Sequence, residues 1–333
     1  MTDLQTAIEF GDAAAEYQAF GSSAIVTAAW GPRTLLKLTG EDRHKWLHNV
    51  CTNEIKALQP GSGCEVFFTN VKAKVLGHGF VFATDDALWI ETVGGQEDVL
   101  FTHFDRYIIT EDVEIHRLSD SYSQLFVAGP DTVSRLSDLC EVTADSLQPM
   151  CHTTASFGGI DVGLRRADVT CQPGVLVNCA SCDLQRVWDC LTDKGFMPVG
   201  SAAFEARRIE AVFPFYGSDI SDQQMAPEAG RNSVAISYKK GCYLGQEPIA
   251  RLDAMGHTNK ELRGIAFDAD PGAAVGDVLK SAAGDKIGWL TSVAGVPGTD
   301  RAVALGYVKR SFMKDAAEVV ANETVGTVFS RPA

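Results

Sequence analysis

A lone cysteine lies in an unusual segment of the chain, residues 239–251, which reads KKGCYLGQEPIAR. Cys242 stands between two glycines and close to cations, whereas a core cysteine would normally sit in an apolar run. A thiol reacts as its thiolate, and nearby cations and backbone N–H groups lower the thiol pKa. This setting suits a nucleophile, a metal or cluster ligand, or a redox thiol. It also suits a half-buried loop cysteine whose glycines only shape a turn, and the residues alone slightly favour that structural alternative.

A second candidate is the CASC motif at Cys179 to Cys182. Two cysteines at this spacing can form a redox pair or half of a zinc site. A zinc site needs a second pair of ligands, and Cys171, Cys190 and His152 lack a recognisable spacing. We therefore favour an incidental pair at the junction of a strand and a helix.

The remaining candidates are weaker by pattern. His44 and His48 are four residues apart on a predicted helix, but the histidines form no HxH or HExxH pattern, so a solvated helix face is favoured. Glu210 lies where a predicted helix gives way to an aromatic, Gly- and Pro-containing loop. It is a candidate ligand-binding acid, and pairing with Arg207 or Arg208 is the structural alternative.

The elements that must position these residues change character along the chain. Up to residue 258, strand-like runs alternate with amphipathic helical segments, which predicts α+β units with antiparallel sheets backed by helices. From residue 259, short strand-like runs are separated by Gly, Pro and Asp clusters. Turn signals recurring about every 8–12 residues predict a small β-barrel or sandwich. We place the domain boundary there, with residues 1–258 before it and 259–333 after it.

Composition excludes several classes of protein. The 333 residues carry a formal net charge of −14, which argues against a protein that coats nucleic acid or anionic membranes. No stretch approaches the roughly 18–20 uninterrupted apolar residues of a membrane span. The N-terminus is acidic from its third residue and lacks the basic start of a secretory signal, so a cytoplasmic location is expected. An odd count of nine cysteines indicates reduced thiols.

Several segments together resemble the glycine-cleavage T-protein (aminomethyltransferase, GcvT) superfamily, and more narrowly its YgfZ branch. The central match is KKGCYLGQEPIAR, which contains the long and irregular K-G-C-Y-x-G-Q-E…R signature of that branch in full. Supporting matches run through nearly all of residues 20–333 in family order. They include LTGEDRHKWLHNVCTNEIKALQPGSG, TNVKAKVLGHGFVF, FVAGPD, RRIEAVFPFYGSDI, APEAG and GWLTSVAGVPGTDRAVALGYV.

The resemblance implies a ring of two α+β units around a central folate pocket, completed by the C-terminal β-barrel. It implies tetrahydrofolate or a one-carbon derivative as cofactor, with a carboxylate accepting the adjacent N–H donors of the pterin. Cys242 is then the reactive thiol, and no resident metal is expected, although Cys242 can act as a transient cluster ligand. The cofactor-binding residues expected from the resemblance are Glu210, Lys240, Gln246, Glu247 and Arg251.

One departure separates the branches of the superfamily. The transferases have an aspartate in the strand after a glycine pair, where this chain has Gly77 and His78. Without that acid the proton handling of one-carbon transfer is in doubt. The resemblance therefore favours a folate-binding protein that supports assembly or repair of iron–sulfur enzymes and, indirectly, tRNA modification. Its expected partners are folate and iron–sulfur client or assembly proteins, without direct contact to nucleic acid or membrane. The alternatives are a folate-dependent aminomethyltransferase or demethylase, and a non-catalytic folate sensor or scaffold.

Overall fold

The chain builds two sheets in an interleaved order, in a computed structural model that describes residues 7–332. The N-terminal elements are α1 (Ala13–Ala19), β1 (Ile25–Thr27), β2 (Arg33–Thr39), α2 (Arg43–Val50), β3 (Gly63–Thr69), β4 (Val75–Ala83), β5 (Leu88–Val93), α3 (Glu97–Asp105) and β6 (Glu114–Arg117). Strands β2 to β6 form the first sheet, which is antiparallel and has the order β3-β4-β5-β2-β6. Strand β1 precedes this sheet in sequence but belongs to the next one.

The second sheet has six strands in the order β11-β1-β7-β10-β9-β8. Its pairs are antiparallel except for β1 and β11. The elements of this part of the chain are β7 (Tyr122–Ala128), α4 (Thr132–Cys140), β8 (His152–Phe157), β9 (Ile160–Arg166), β10 (Gly174–Ala180), α5 (Leu184–Asp193), β11 (Met197–Pro198), α6 (Ser201–Glu210), α7 (Asn232–Ala235) and α8 (Gln246–Ala254).

The C-terminal part is a closed six-stranded barrel in the order β12-β15-β14-β13-β16-β17. Closure leaves none of these strands with an open edge. The strands are β12 (Lys260–Phe267), β13 (Val278–Lys280), β14 (Lys286–Gly295), β15 (Ala302–Lys309), β16 (Glu318–Ala321) and β17 (Thr324–Phe329). The predicted α+β class with a C-terminal barrel is thus confirmed, while the division into domains at residues 258 and 259 stays a prediction.

The inner faces of the two sheets share one aromatic core. Phe80 of the first sheet and Phe126 of the second belong to the same buried cluster as Trp30, Phe204 and Phe213. All five side chains are buried. Burying such a side chain is worth about 1.5–3 kcal/mol relative to leaving it exposed, so this core holds the two sheets together.

A ribbon of buried polar side chains also crosses between the sheets. Trp30 Nε1 donates to Gln124 Oε1 at 2.9 Å, and Gln124 Nε2 donates to Asn178 Oδ1 at 2.6 Å. Asn178 Nδ2 then donates to Glu91 Oε1 of the first sheet at 3.3 Å. Arg165 of β9 forms an ion pair with the same carboxylate. Because buried polar groups need partners, this ribbon fixes the register of one sheet on the other.

A buried ion pair attaches the barrel to helix α6. Arg208 donates from Nη1 to Asp219 Oδ2 at 2.8 Å and from Nη2 to Ser292 Oγ of β14 at 3.0 Å. The other carboxylate oxygen of Asp219 accepts from the hydroxyl of Thr291 at 2.7 Å. Helix α6 ends at Glu210, so the same pair positions a candidate site residue. Among residues 7–332, no helix has the length and apolarity needed to cross a membrane.

Candidate functional site

A buried cluster of charges lies where the first sheet meets the segment that leads to Cys242. Arg231 donates to Glu65 through both Nε (2.7 Å to Oε1) and Nη2 (2.5 Å to Oε2). His78 of the neighbouring strand β4 places Nε2 2.7 Å from the same Oε1. Its ring stacks on Phe67 at a centroid distance of 4.8 Å, and the Arg231 guanidinium lies 5.0 Å from the ring centroid of Phe213.

The charges of this cluster decide what Glu65 can do. Burial alone would raise the pKa of its carboxyl, but the ion pair and hydrogen bonds with Arg231 and the hydrogen bond with His78 hold that pKa well below its usual range. An ionised carboxylate is only an acceptor, so the Nε2–H of His78 donates to it. At the position that the resemblance aligns with the transferase aspartate, the chain therefore has His78, which is bonded to a weakly basic carboxylate of the adjacent strand β3.

The Cys242 loop is fixed by Lys240. Its Nζ donates to the carbonyl oxygens of His48 (2.5 Å), Cys51 (2.8 Å) and Asn53 (2.6 Å), all at the C-terminal end of α2. Burial lowers the pKa of this ammonium. The three donors of an ammonium are thereby all used, and cations suit the negative end of a helix dipole. From the sequence, Lys240 is predicted to contact folate. In the structure, all three N–H donors of Lys240 bond to backbone carbonyl oxygens of the protein itself.

The two glycines that flank Cys242 differ in whether the backbone requires a glycine. Gly245 has φ +84°, and a Cβ there would lie 2.7 Å from the carbonyl oxygen of Asn70, so this position excludes other residues. A Cβ on Gly241 would meet nothing within 4 Å. The Cys242 side chain itself is exposed, as a thiol that reacts with another molecule must be. Within residues 7–332, no group of three or more His, Cys, Asp or Glu residues could hold a metal ion.

The other residues of the signature lie on helix α8, which begins at Gln246. Glu247 and Arg251 are one helical turn apart and line a cavity of about 450 Å³ together with Val71 and Met255. Both charged side chains belong to exposed residues. They therefore share one surface next to the Cys242 loop.

Glu210 lies in a different environment. Its Oε1 accepts from the hydroxyl of Tyr17 at 2.5 Å, and its Oε2 accepts from Arg207 Nη1 at 3.0 Å. The pairing with Arg207 is the structural alternative considered from sequence. Burial and the hydrogen bond to Glu210 raise the pKa of Tyr17, so its hydroxyl stays a donor. A carboxylate has about four lone-pair sites, so Glu210 retains acceptor capacity.

A cavity of about 300 Å³ lies next to Glu210 and is lined by residues that include Thr170, Cys171, Ala211 and Arg331. Partial desolvation and the charge of Glu210 raise the pKa of the Cys171 thiol. The Thr170 hydroxyl is buried without a hydrogen-bond partner in the described part of the chain. An unpaired buried hydroxyl is costly, so a polar ligand would satisfy it.

The structure thus separates what the sequence grouped. Glu247 and Arg251 line the cavity beside α8, whereas Glu210 at the end of α6 directly precedes Ala211, which lines the Cys171 cavity. Sequence reasoning also missed Glu65, Arg231 and Thr170. The available signal for Glu65 was an acid within the otherwise apolar strand segment CEVFFT, which is unusual unless the charge has a buried partner.

Most of the chain is similar to known proteins. The sequence profile of the GCVT N-terminal domain matches residues 11–240. A candidate transferase of the Arabidopsis thaliana chloroplast is 28% identical over 295 residues, which cover 87% of this chain and 66% of that relative. An aminomethyltransferase from Desulforamulus reducens is 24% identical over 285 residues, covering 83% of this chain and 76% of the relative.

The fold recurs in a solved structure. The crystal structure of glycine cleavage system aminomethyltransferase T from Bartonella henselae superposes with a TM-score of 0.80 and 17% identity. The match covers 96% of this chain and 88% of that one. The two proteins therefore share their architecture, including the C-terminal barrel.

Replacing Lys240 is expected to destabilise the protein. Lys240→Ala leaves three carbonyl oxygens without their donor, which should cost about 3 kcal/mol of unfolding free energy. The measurement is the urea midpoint, with the exposed neighbour substitution Lys239→Ala as matched control. Equal urea midpoints for the two variants would contradict a stabilising role for the three hydrogen bonds of Lys240.

Replacing Glu65 should give a pH-dependent loss of stability. Because the folded-state pKa of Glu65 is depressed, its stabilising contribution is complete above the unfolded value of about 4.3 and is lost as pH falls below it. We expect Glu65→Gln to cost about 3 kcal/mol at pH 7 and less below about pH 4. Unfolding free energies measured against pH test this, with the exposed Glu318→Gln as control. A difference that is flat with pH would refute the ion pair.

Proposed function

Because the chain belongs to the family of the GCVT N-terminal domain, whose profile matches residues 11–240, we propose that it binds tetrahydrofolate or a one-carbon derivative beside Glu210. The neighbouring cavity of about 300 Å³ is at the lower end of the range of ligand pockets, roughly 300–1,000 Å³. Its unpaired Thr170 hydroxyl and the remaining lone pairs of Glu210 suit the polar edge of a pterin. Arg331, which lines the same cavity, suits the anionic tail of a folate.

Within that family we assign the chain to the YgfZ type, which supports the assembly or repair of iron–sulfur enzymes and acts on tRNA modification only indirectly. The observation that carries this assignment is that Glu65 is held ionised, with its carboxylate hydrogen-bonded to Arg231 and His78. A general base needs a pKa near the working pH and a free lone pair toward the reacting atom. The aligned position holds His78 and no acid, and the neighbouring Glu65 is held ionised by Arg231 and also accepts from His78, so it is a poor base for one-carbon transfer.

In this proposal Cys242 is the reactive thiol or the transient ligand of an iron–sulfur cluster carried by a client or assembly protein. Its exposure supports an encounter with another protein. Lys240 holds the loop in place, and Gln246, Glu247 and Arg251 extend the same surface. When bound, the folate supplies a carrier for a one-carbon unit. The residues of this chain bind it, orient it and keep Cys242 accessible.

A second candidate function is folate-dependent aminomethyl transfer. It is favoured by the shared fold with glycine cleavage system aminomethyltransferase T and by relatives that are named aminomethyltransferases. Under this alternative the purified protein releases ammonia from an aminomethyl donor only in the presence of tetrahydrofolate. Turnover of that kind would displace the iron–sulfur role, and the absence of turnover with several donors would count against the transferase.

Folate binding should depend on the charge of Glu210. We expect Glu210→Gln to weaken the binding of 5-formyltetrahydrofolate about tenfold, which corresponds to about 1.4 kcal/mol. Isothermal titration calorimetry on the full chain measures this, with the exposed Asp193→Asn as control. Unchanged affinity in Glu210→Gln would remove Glu210 from the folate site.

Support of iron–sulfur enzymes should depend on Cys242. In a host that lacks its own copy of the gene, we expect Cys242→Ala and Cys242→Ser to leave iron–sulfur enzyme activities near the deletion level. Cys182→Ala, which removes another exposed cysteine, should restore them. Full restoration by both Cys242 variants, at matched protein levels, would overturn the role of this thiol.

A further inference from the structure

The C-terminal barrel carries a cavity that the proposed folate site does not use. It measures about 970 Å³, which is larger than the cavities beside Glu210 and Arg251. It opens along β14 and β15 and is closed on one side by Glu228 from the turn Ala226–Ala229. Its size lies at the upper end of the range for small-molecule sites, roughly 300–1,000 Å³.

The rim of this cavity is strongly basic, in contrast to the chain as a whole. Its lining contains five cations and one carboxylate, Glu228, although the net charge of the protein is −14. The carboxylate lies 3.9 Å from one of the ammonium groups and accepts a hydrogen bond from the Met225 backbone at 3.0 Å. A concave site lined by one sign of charge concentrates ligands of the other sign. The cations are Lys260, Lys286, Lys309, Arg310 and Lys314.

The wall of the cavity is aromatic. Trp289 and Tyr307 are register partners on β14 and β15, and their rings stack at a centroid distance of 5.0 Å. Lys260 Nζ lies 4.9 Å from the Trp289 ring centroid and 5.4 Å from that of Tyr307. Gly288 lets β14 and β15 approach closely beside this wall, since a Cβ there would lie 1.9 Å from the Tyr307 carbonyl oxygen. Trp289 stays partly exposed, so one aromatic surface remains available to a ligand.

A third feature is independent of charge and stacking. Tyr307 is fully buried as a residue, yet its hydroxyl has no hydrogen-bond partner within residues 7–332. Burial raises the pKa of this hydroxyl well above its usual value, so it remains a donor. A buried donor without an acceptor destabilises a protein unless a ligand completes it. Tyr307 is one of the residues that line the cavity, so a ligand bound there can supply the missing acceptor.

We propose that this barrel cavity is a second ligand site, which binds a phosphorylated nucleoside. Several separated cations suit a ligand with more than one negative charge, and phosphates meet that need better than a single carboxylate. The aromatic wall suits a base, because bases stack on aromatic side chains without regard to sequence. In this site the Tyr307 hydroxyl donates a hydrogen bond to the ligand. The Lys260 ammonium moves from the rings of Trp289 and Tyr307 to the phosphates. A free nucleotide fits better than a nucleic acid, because the rest of this acidic chain repels a long polyanion.

The test is calorimetric titration of the full chain with ADP, and separately with adenosine and pyrophosphate. We expect ADP to bind at least about tenfold more tightly than either fragment. Trp289→Ala should weaken ADP about tenfold and leave pyrophosphate nearly unchanged. The double variant Arg310→Ala/Lys314→Ala should weaken ADP and pyrophosphate alike and reduce their dependence on salt. Lys280→Ala, an exposed lysine elsewhere on the barrel, is the matched control.

Tyr307→Phe separates a ligand contact from a packing role. Removal of an unpaired hydroxyl should leave the melting temperature of the free protein unchanged or raise it, while the affinity for ADP falls. The proposal is overturned by ADP binding no tighter than pyrophosphate, or by full ADP affinity in Trp289→Ala. Displacement of ADP by 5-formyltetrahydrofolate, or tenfold tighter binding of a single-stranded octanucleotide, would also overturn it. Glu210→Gln should bind ADP normally, so failure of the folate proposal and failure of this one are distinguishable.

Discussion

The buried ion pair between Glu65 and Arg231 is the constraint on which the candidate site depends. The two residues are 166 positions apart in sequence, and both are buried. Removing either partner would leave an uncompensated buried charge and lower the free energy of unfolding by about 3–5 kcal/mol. Both residues are therefore needed for a stable fold. The ion pair ties strand β3 to the segment that leads through α7 to Cys242. It also fixes His78 and holds the Glu65 carboxylate ionised, which makes it a weak base.

Other cations of the chain are used in the same structural way. Lys240 holds the Cys242 loop against the C-terminal end of α2, and Arg208 joins α6 to the barrel through Asp219. Each of these side chains is buried, and each is matched by acceptors of the protein itself. In the signature segment the thiol of Cys242 is exposed, as are Glu247 and Arg251. The rim of the barrel cavity shows the opposite arrangement, since its cations mostly lie at the surface around a partly exposed aromatic wall.

Sequence patterns predicted the fold well because they report local and repeated features. The predicted C-terminal run of short strands with frequent turns is the closed barrel, whose first strand is β12. The same reading expected glycines to shape the Cys242 loop, which holds for Gly245 with its positive φ. It assigned Lys240 to a ligand, because composition shows that a cation is present and does not show which oxygens surround it. The three carbonyl acceptors of Lys240 come from residues 48, 51 and 53, about 190 positions away.

The sequence by itself determined the class of the fold, the kinship to the aminomethyltransferase superfamily and the choice of Cys242 and Glu210 as candidates, since an irregular signature and strand periodicity are both written in the order of residues. Only the tertiary structure decided that Glu65 is held ionised by Arg231 and that Glu210 is bonded to Tyr17 and Arg207. It also decided that, within residues 7–332, the buried hydroxyl of Tyr307 has no hydrogen-bond partner. The physical reason is that pKa, desolvation and hydrogen-bond satisfaction depend on the atoms within a few ångströms. In a folded chain those neighbours come from segments far apart in sequence.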